Sequence, residues 1–168
     1  MSQPEPELKH PPELVPRLAA IIHAAAFPTG DRAALRRMGI TGPAPLAFHR
    51  LMLRHIPERW NGPRDRDRWR ALVSALAMQH LNPHDPSRSF GGALAEIGFA
   101  ESRLESLLAA RGRVGATLAL RVARRLAVNR ARCDWCDLGW LLFSRDDETR
   151  ERVNERIARA FYRVAVTS

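Results

Sequence analysis

The chain has 168 residues, 45% of them hydrophobic, and a net charge of +9 from 27 basic and 18 acidic side chains. A chain of this length buries about 70% of its unfolded surface, so it needs no staples to form a core, and two cysteines are no disulfide framework. There is no run of about 20 apolar residues, and "MSQPEPELKHPPELVP" is acidic and proline-rich rather than a charged head before an apolar stretch, so the expectation is a cytoplasmic protein with no membrane span.

The elements read as helices throughout, with no alternating β-branched run and no βαβ rhythm. Residues 1–12 are expected to be flexible, and residues 13–168 to form a single α-helical domain. The first helix spans 13–26, "ELVPRLAAIIHAAA", before Pro28 and Gly30. "DRAALRRM", 31–38, starts with a carboxylate suited to a helix N-terminus and is closed by Gly39. "PLAFHRLMLRHI", 45–56, lies between two prolines. "PERWNGPRDRDR" is a polar loop, and "DRWRALVSALAMQHL", 67–81, carries a helical apolar stripe at 69, 72, 73, 76 and 80–81. Ser89 is a good N-cap for "FGGALAEIG", ended by Gly98. "AESRLESLLAAR" follows with Gly112 as its stop, then "VGATLALRVARRLAVN" with Leu118, Val122 and Leu126 in an i, i+4 row. Asp134 is the expected N-cap of "WCDLGWLLFS". The last helix, 147–164, buries Val153, Ile157, Phe161 and Val164, and its charge-alternating face reads as solvated. The fold class is therefore all-α, a compact bundle of roughly eight helices.

Catalytic motifs are missing: there is no GxSxG, no P-loop, no HExxH, and no nucleophile set beside a base. No catalytic residue, cofactor or metal site is read from the sequence. Cys133 and Cys136 form a CxxC, but a structural zinc site needs a second pair or spaced histidines, and a redox CxxC expects a βαβ setting. Both cysteines read as packing residues. Trp69, Trp135 and Trp140 read as core, and Trp60, in a loop, as more open.

The charge has a pattern. Of the 27 basic residues only Lys9 is a lysine. Residues 31–70 carry ten arginines against four acids, and residues 101–133 eight against two, +6 in each window; 1–30, 71–100 and 134–168 are each −1. Two basic windows that met in space would suit a polyanion. Within them, Arg32 and Arg36 are four apart with Arg37 adjacent, and Arg50 and Arg54 repeat that spacing. Arg121, Arg125 and Arg132 share a helical face, with Arg124 beside them. No acid lies between Glu105 and Asp134 to neutralise the last group. The arginine fork suits phosphate.

The succession "AALRRM", "AFHRL", "RWNGP", "SFGGALA", "ESRLESLLAARG", "ARRLA", "DW", over residues 30 to 163, resembles the CasB family, the small subunit of the type I-E CRISPR surveillance complex, Cascade. The resemblance implies an all-helical, non-catalytic subunit, two copies of which support the guide RNA–target DNA heteroduplex and the displaced strand and so stabilise the R-loop, beside other Cascade subunits. It also implies that Arg36, Arg37, Arg50, Arg111, Arg124 and Arg125, which match the family's arginines, face nucleic acid. Where some members carry a basic residue in the glycine motif, this chain has Gly92, and the cysteines flanking "DW" are not part of the pattern. The rival readings are a helix-turn-helix DNA-binding regulator, an enzyme of unknown type, and a scaffold whose arginines are all paired with acids.

Overall fold

A computed structural model describes residues 7–167. Among them are nine α-helices and no strand: α1 Val15–Ile22, α2 Thr29–Met38, α3 Leu46–His55, α4 Arg66–Ala77, α5 Phe90–Glu96, α6 Glu101–Ala109, α7 Gly112–Val128, α8 Cys136–Phe143 and α9 Asp147–Ala165. The chain is all-α, as the periodicity requires. Of the expected flexible stretch, residues 1–6 lie outside the described residues. From Leu8 on the chain touches the body. Arg59 donates to the Leu8 carbonyl at 2.7 Å, His10 stacks against Trp140 at 5.2 Å, and a 3-10 turn, Pro11–Leu14, packs on α8.

The architecture is built around α4. Every residue from Trp69 to Ala77 is buried, because α1, α2, α7 and α8 all pack on it. Its all-round apolarity, interrupted by Arg70 and Ser74, is the signature of a buried helix. α4 is shorter than the apolar stripe suggests: it stops at Ala77, and Leu81 is 77% exposed. α5 and α9 form the other tight pair. A Cβ at Gly91 would stand 2.1 Å from the Ile157 carbonyl oxygen, so only glycine allows this approach of two backbones. Gly92 also faces inward, its would-be Cβ 2.6 Å from Ser89 Oγ and 3.4 Å from Val164.

The expected cap is present at Ser89, which accepts from the Gly92 amide at 3.1 Å, and α9 is capped by Asp146, which accepts from Thr149 at 2.7 Å. Asp134 sits one position before the N-cap of α8 and accepts from the Cys136 amide at 3.0 Å. Gly112, read as a stop, instead opens α7 with φ 56°, a left-handed turn that glycine takes without strain. Trp69 and Trp135 are fully buried, and each indole N–H finds a carbonyl, that of Trp60 at 2.8 Å and of Pro83 at 3.2 Å. Trp140 and Trp60 are half-buried against the same core. None of the described helices is long and apolar enough to cross a membrane.

Candidate nucleic-acid interface

α4 holds the two helices that carry the most prominent arginine pairs. Arg70, itself buried, donates to four carbonyls where α2 ends: Met38 at 3.3 Å, Gly39 at 3.0 Å, Thr41 at 2.8 Å and Gly42 at 2.8 Å. One fork thus satisfies the orphan acceptors of a helix C-terminus. Ser74 Oγ donates to the Arg36 carbonyl at 3.2 Å. Gln79, also buried, donates to the Ala123 carbonyl of α7 at 3.0 Å. The backbone beneath Arg36–Arg37 and that beneath Arg124–Arg125 are therefore fixed by side chains of one buried segment.

The inner face of α7 is broader than the row read from spacing. Val122 and Leu126 are buried, Leu118 is half-buried, and Ala116, Ala119, Leu120, Ala123 and Ala127 join the core. Small residues let α7 lie close to α4. The outer face presents Arg121, Arg124 and Arg125, all exposed, and no carboxylate oxygen among the described residues lies within 4.0 Å of them. Arg36, Arg37, Arg54 and Arg132 are likewise exposed and form no ion pair within 4.0 Å among the described residues, although Arg132 acts on Asp85 at longer range. The remaining three expected positions are engaged. Arg32 donates to the Ile22 and Ala24 carbonyls at 2.8 and 3.3 Å and so secures the end of α1. Arg50 pairs with Asp31 at 2.8 Å and Arg111 with Asp147 at 3.4 Å, both at the surface. Exposed pairs of this kind contribute about 0–1 kcal/mol and exchange readily for another anion.

Sequence reasoning missed two features. Arg70, Ser74 and Gln79 act through the backbones they hold, and only their polarity within a buried stripe signals it. Arg130 occupies the left-handed position after α7, φ 50°, with the Ala131 amide reaching back to Leu126 at 3.0 Å. Glycine is usual there. The arginine adds a cation to the end of the ridge at a local strain of about 1–2 kcal/mol.

Elsewhere many of the described arginines meet acids, while Arg17, Arg64, Arg66, Arg103 and Arg163 are exposed single cations scattered over other elements. Arg145 and Arg68 share Asp65, Arg156 holds Asp137, and Arg113 reaches Asp67 at 3.6 Å. A cleft of about 630 Å³ lies between the N-terminal turn and α9 and is lined by Lys9, Arg59, Trp60, Trp140 and Arg152 among others. Both cysteines are held as thiols. Burial, reinforced by Asp134 and Asp137, pushes Cys136 up to about 12, and burial drives Cys133 higher still. His84, beside them, is kept below its usual value by burial, against the pull of Asp134 and Asp85.

An all-helical body with arginine-rich outer faces on α2 and α7 agrees with one known family over most of its length. The family model of the CRISPR-associated protein Cse2 matches residues 31–162. The chain belongs to the Cse2 family. This is the family also called CasB, so the resemblance carried by the motif order stands, and the matched stretch runs from α2 nearly to the end of α9. Membership makes this Cse2 chain a subunit of a CRISPR Cascade complex, acting beside other subunits. The same comparisons find no curated protein and no solved structure that matches it.

Proposed function

We propose that this Cse2 chain holds nucleic-acid backbones inside Cascade, through Arg36 and Arg37 of α2, Arg54 of α3, and Arg121, Arg124, Arg125, Arg130 and Arg132 along and after α7. The observation that carries the reading is the α7 ridge: exposed guanidinium groups with no acid beside them, on a helix whose backbone is fixed from within. Arg50 and Arg111 join when phosphate displaces Asp31 and Asp147. Arg32 contributes its charge while it secures α1.

In an RNA-guided complex, base pairing reads the sequence and the protein holds backbones, and R-loop formation is a near-balanced exchange of duplexes that a few contacts can tip. The guide RNA–target DNA heteroduplex and the displaced strand are the proposed ligands, two copies of the chain the proposed arrangement, the cytoplasm the place, and the role non-catalytic. Base reading by α7 has little support. Its polar residues are engaged, Thr117 Oγ1 with the Arg113 carbonyl at 2.9 Å and Asn129 Nδ2 with the Arg125 carbonyl at 2.9 Å, which leaves few groups for base edges.

The test is binding of the purified chain to labelled non-specific DNA across a salt series, beside Arg124→Ala/Arg125→Ala. Each neutralised phosphate contributes about 0.7–0.9 to the slope of log affinity against log salt, so the double variant should lower the slope by about 1.4–1.8 with its stability within about 0.5 kcal/mol. Equal slopes for the two proteins would remove α7 from the interface.

A further inference from the structure

We propose that His84, Asp134 and Cys136 form a zinc site that ties the loop before α5 to the start of α8. A ring nitrogen of His84, a carboxylate oxygen of Asp134 and Cys136 Sγ all lie within 4.8 Å of one another. His84 Nδ1 and Asp134 Oδ1 are 3.9 Å apart. Around tetrahedral zinc, with bonds near 2.0–2.3 Å, neighbouring donors stand about 3.3–3.7 Å apart. The three groups therefore need only a small contraction to share one ion. They are half-buried, which shields a bound ion while leaving it an approach.

The frame that holds them is rigid. The Cys133 amide donates to the Pro83 carbonyl at 3.1 Å, the Asp85 amide to Cys133 at 2.9 Å, and the Asp134 amide to Arg88 at 2.7 Å. These bonds lash two segments about 50 residues apart into a single bridge, His84 to Cys133. Such preorganisation is what a metal site requires of its scaffold. Nδ1 accepts from the Trp135 amide, a long contact of 3.3 Å, so it is unprotonated with the proton on Nε2, and zinc would take its single lone pair in place of that amide. Asp134 has no arginine or lysine within 4.0 Å, in a chain of net charge +9; the neighbouring Asp85 and Asp137 each have an arginine, Arg88 and Arg156.

The donor set selects the ion. One nitrogen, one sulfur and one oxygen suit borderline zinc and not magnesium or calcium, which take oxygen ligands. Binding forms the Sγ–Zn bond as the Cys136 S–H bond breaks, and the proton leaves to solvent. Water completes the fourth position. Cys133 lies outside the group, so the ligand pattern is not a CxxC chelate but one cysteine of that pair with a histidine and an aspartate brought to it by the fold.

The test uses the untagged full chain, stripped with a chelator and titrated with zinc, with cobalt as a spectroscopic substitute. The expected result is one zinc per chain, a rise in melting temperature with zinc, and a thiolate-to-cobalt absorption band. Cys136→Ser, His84→Gln and Asp134→Asn, each shown to be folded by circular dichroism, should weaken zinc binding by more than the roughly 10–100-fold that losing an outer partner costs. Cys133→Ala should keep the band. Zinc should also protect Cys136 of the unaltered chain from maleimide, located by mass mapping, which decides the matter if a variant does not fold. No zinc uptake, uptake undiminished in Cys136→Ser, loss of the band in Cys133→Ala, or no protection of Cys136 would each overturn the site.

Discussion

α7 and α9 are both long, amphipathic and rich in arginine, and they use it in opposite ways. On α9, Arg150 is buried and donates to the carbonyls of Leu141, Leu107, Leu108 and Ala110, at the ends of α8 and α6. Burial pulls it down to about 10. Arg152 and Arg159 pair with Glu148 and Glu155 one turn before them, and Arg156 holds Asp137. On α7, Arg121, Arg124 and Arg125 have no carboxylate within 4.0 Å among the described residues; the exceptions are Arg113 of α7, which reaches Asp67, and Arg163 of α9, which has none. The difference teaches that arginine content does not define a polyanion surface. What defines it is arginine whose helical neighbours and facing elements withhold carboxylates.

The comparison breaks most sharply at Arg150. Arg150→Met should lower the unfolding free energy by about 3 kcal/mol or more, since several buried carbonyls lose a charged donor. Urea unfolding measures it, and a loss under about 1 kcal/mol would make α9 an ordinary charged surface. Next comes an attempt to make α7 resemble α9. Val128, 79% exposed, lies four residues after Arg124. Val128→Glu gives Arg124 an i, i+4 carboxylate, and the salt slope of DNA binding should fall by about 0.7–0.9 while stability changes by about 0.5 kcal/mol or less. Glu155→Gln is the converse: freeing Arg159 should leave stability within about 0.5 kcal/mol and DNA affinity nearly unchanged, because α9 carries further acids.

Arg130→Gly separates function from stability within the ridge itself. Relief of the left-handed strain should raise stability by about 1 kcal/mol, while the lost cation lowers the salt slope by one contact. Chemical denaturation and the salt series, run together, read both. The smallest effect concerns pH. Burial lowers His23, against its hydrogen bond to the Leu76 carbonyl and with Arg32 adding to the fall; burial, then Arg17 and Arg54, lowers His55. The unfolded chain takes up these protons near pH 6.5, before the folded one does. Their contribution is therefore complete above pH 6.5 and lost as pH falls below it. The urea midpoint should drop on acidification below that value, and His55→Gln should reduce the drop.

The helices were legible because their signals are local. Apolar residues recur at helical spacing, Ser89 and Asp146 cap where such residues should, and the ridge on α7 follows from 100° per residue and the lack of acids between Glu105 and Asp134. Where the expectation slipped, a distant partner decided. α4 ends early because Gln79 turns to Ala123, and α1 ends early at Ile22, whose carbonyl Arg32 takes. For the arginines, spacing identified a shared face but not the company on it. Arg32, Arg50 and Arg111 look like Arg36, Arg54 and Arg124 in sequence, yet each has a partner from another segment.

The sequence by itself determined the fold class, the Ser89 cap, the family and the exposed ridge of α7, because each depends on residues within a few turns of one another. Only the tertiary structure decided which arginines are occupied, that Arg70 of α4 and Gln79 just after it fix α2 and α7, and that His84 stands beside Asp134 and Cys136. Those are meetings of side chains tens of residues apart, and their energies depend on distances that no local pattern encodes.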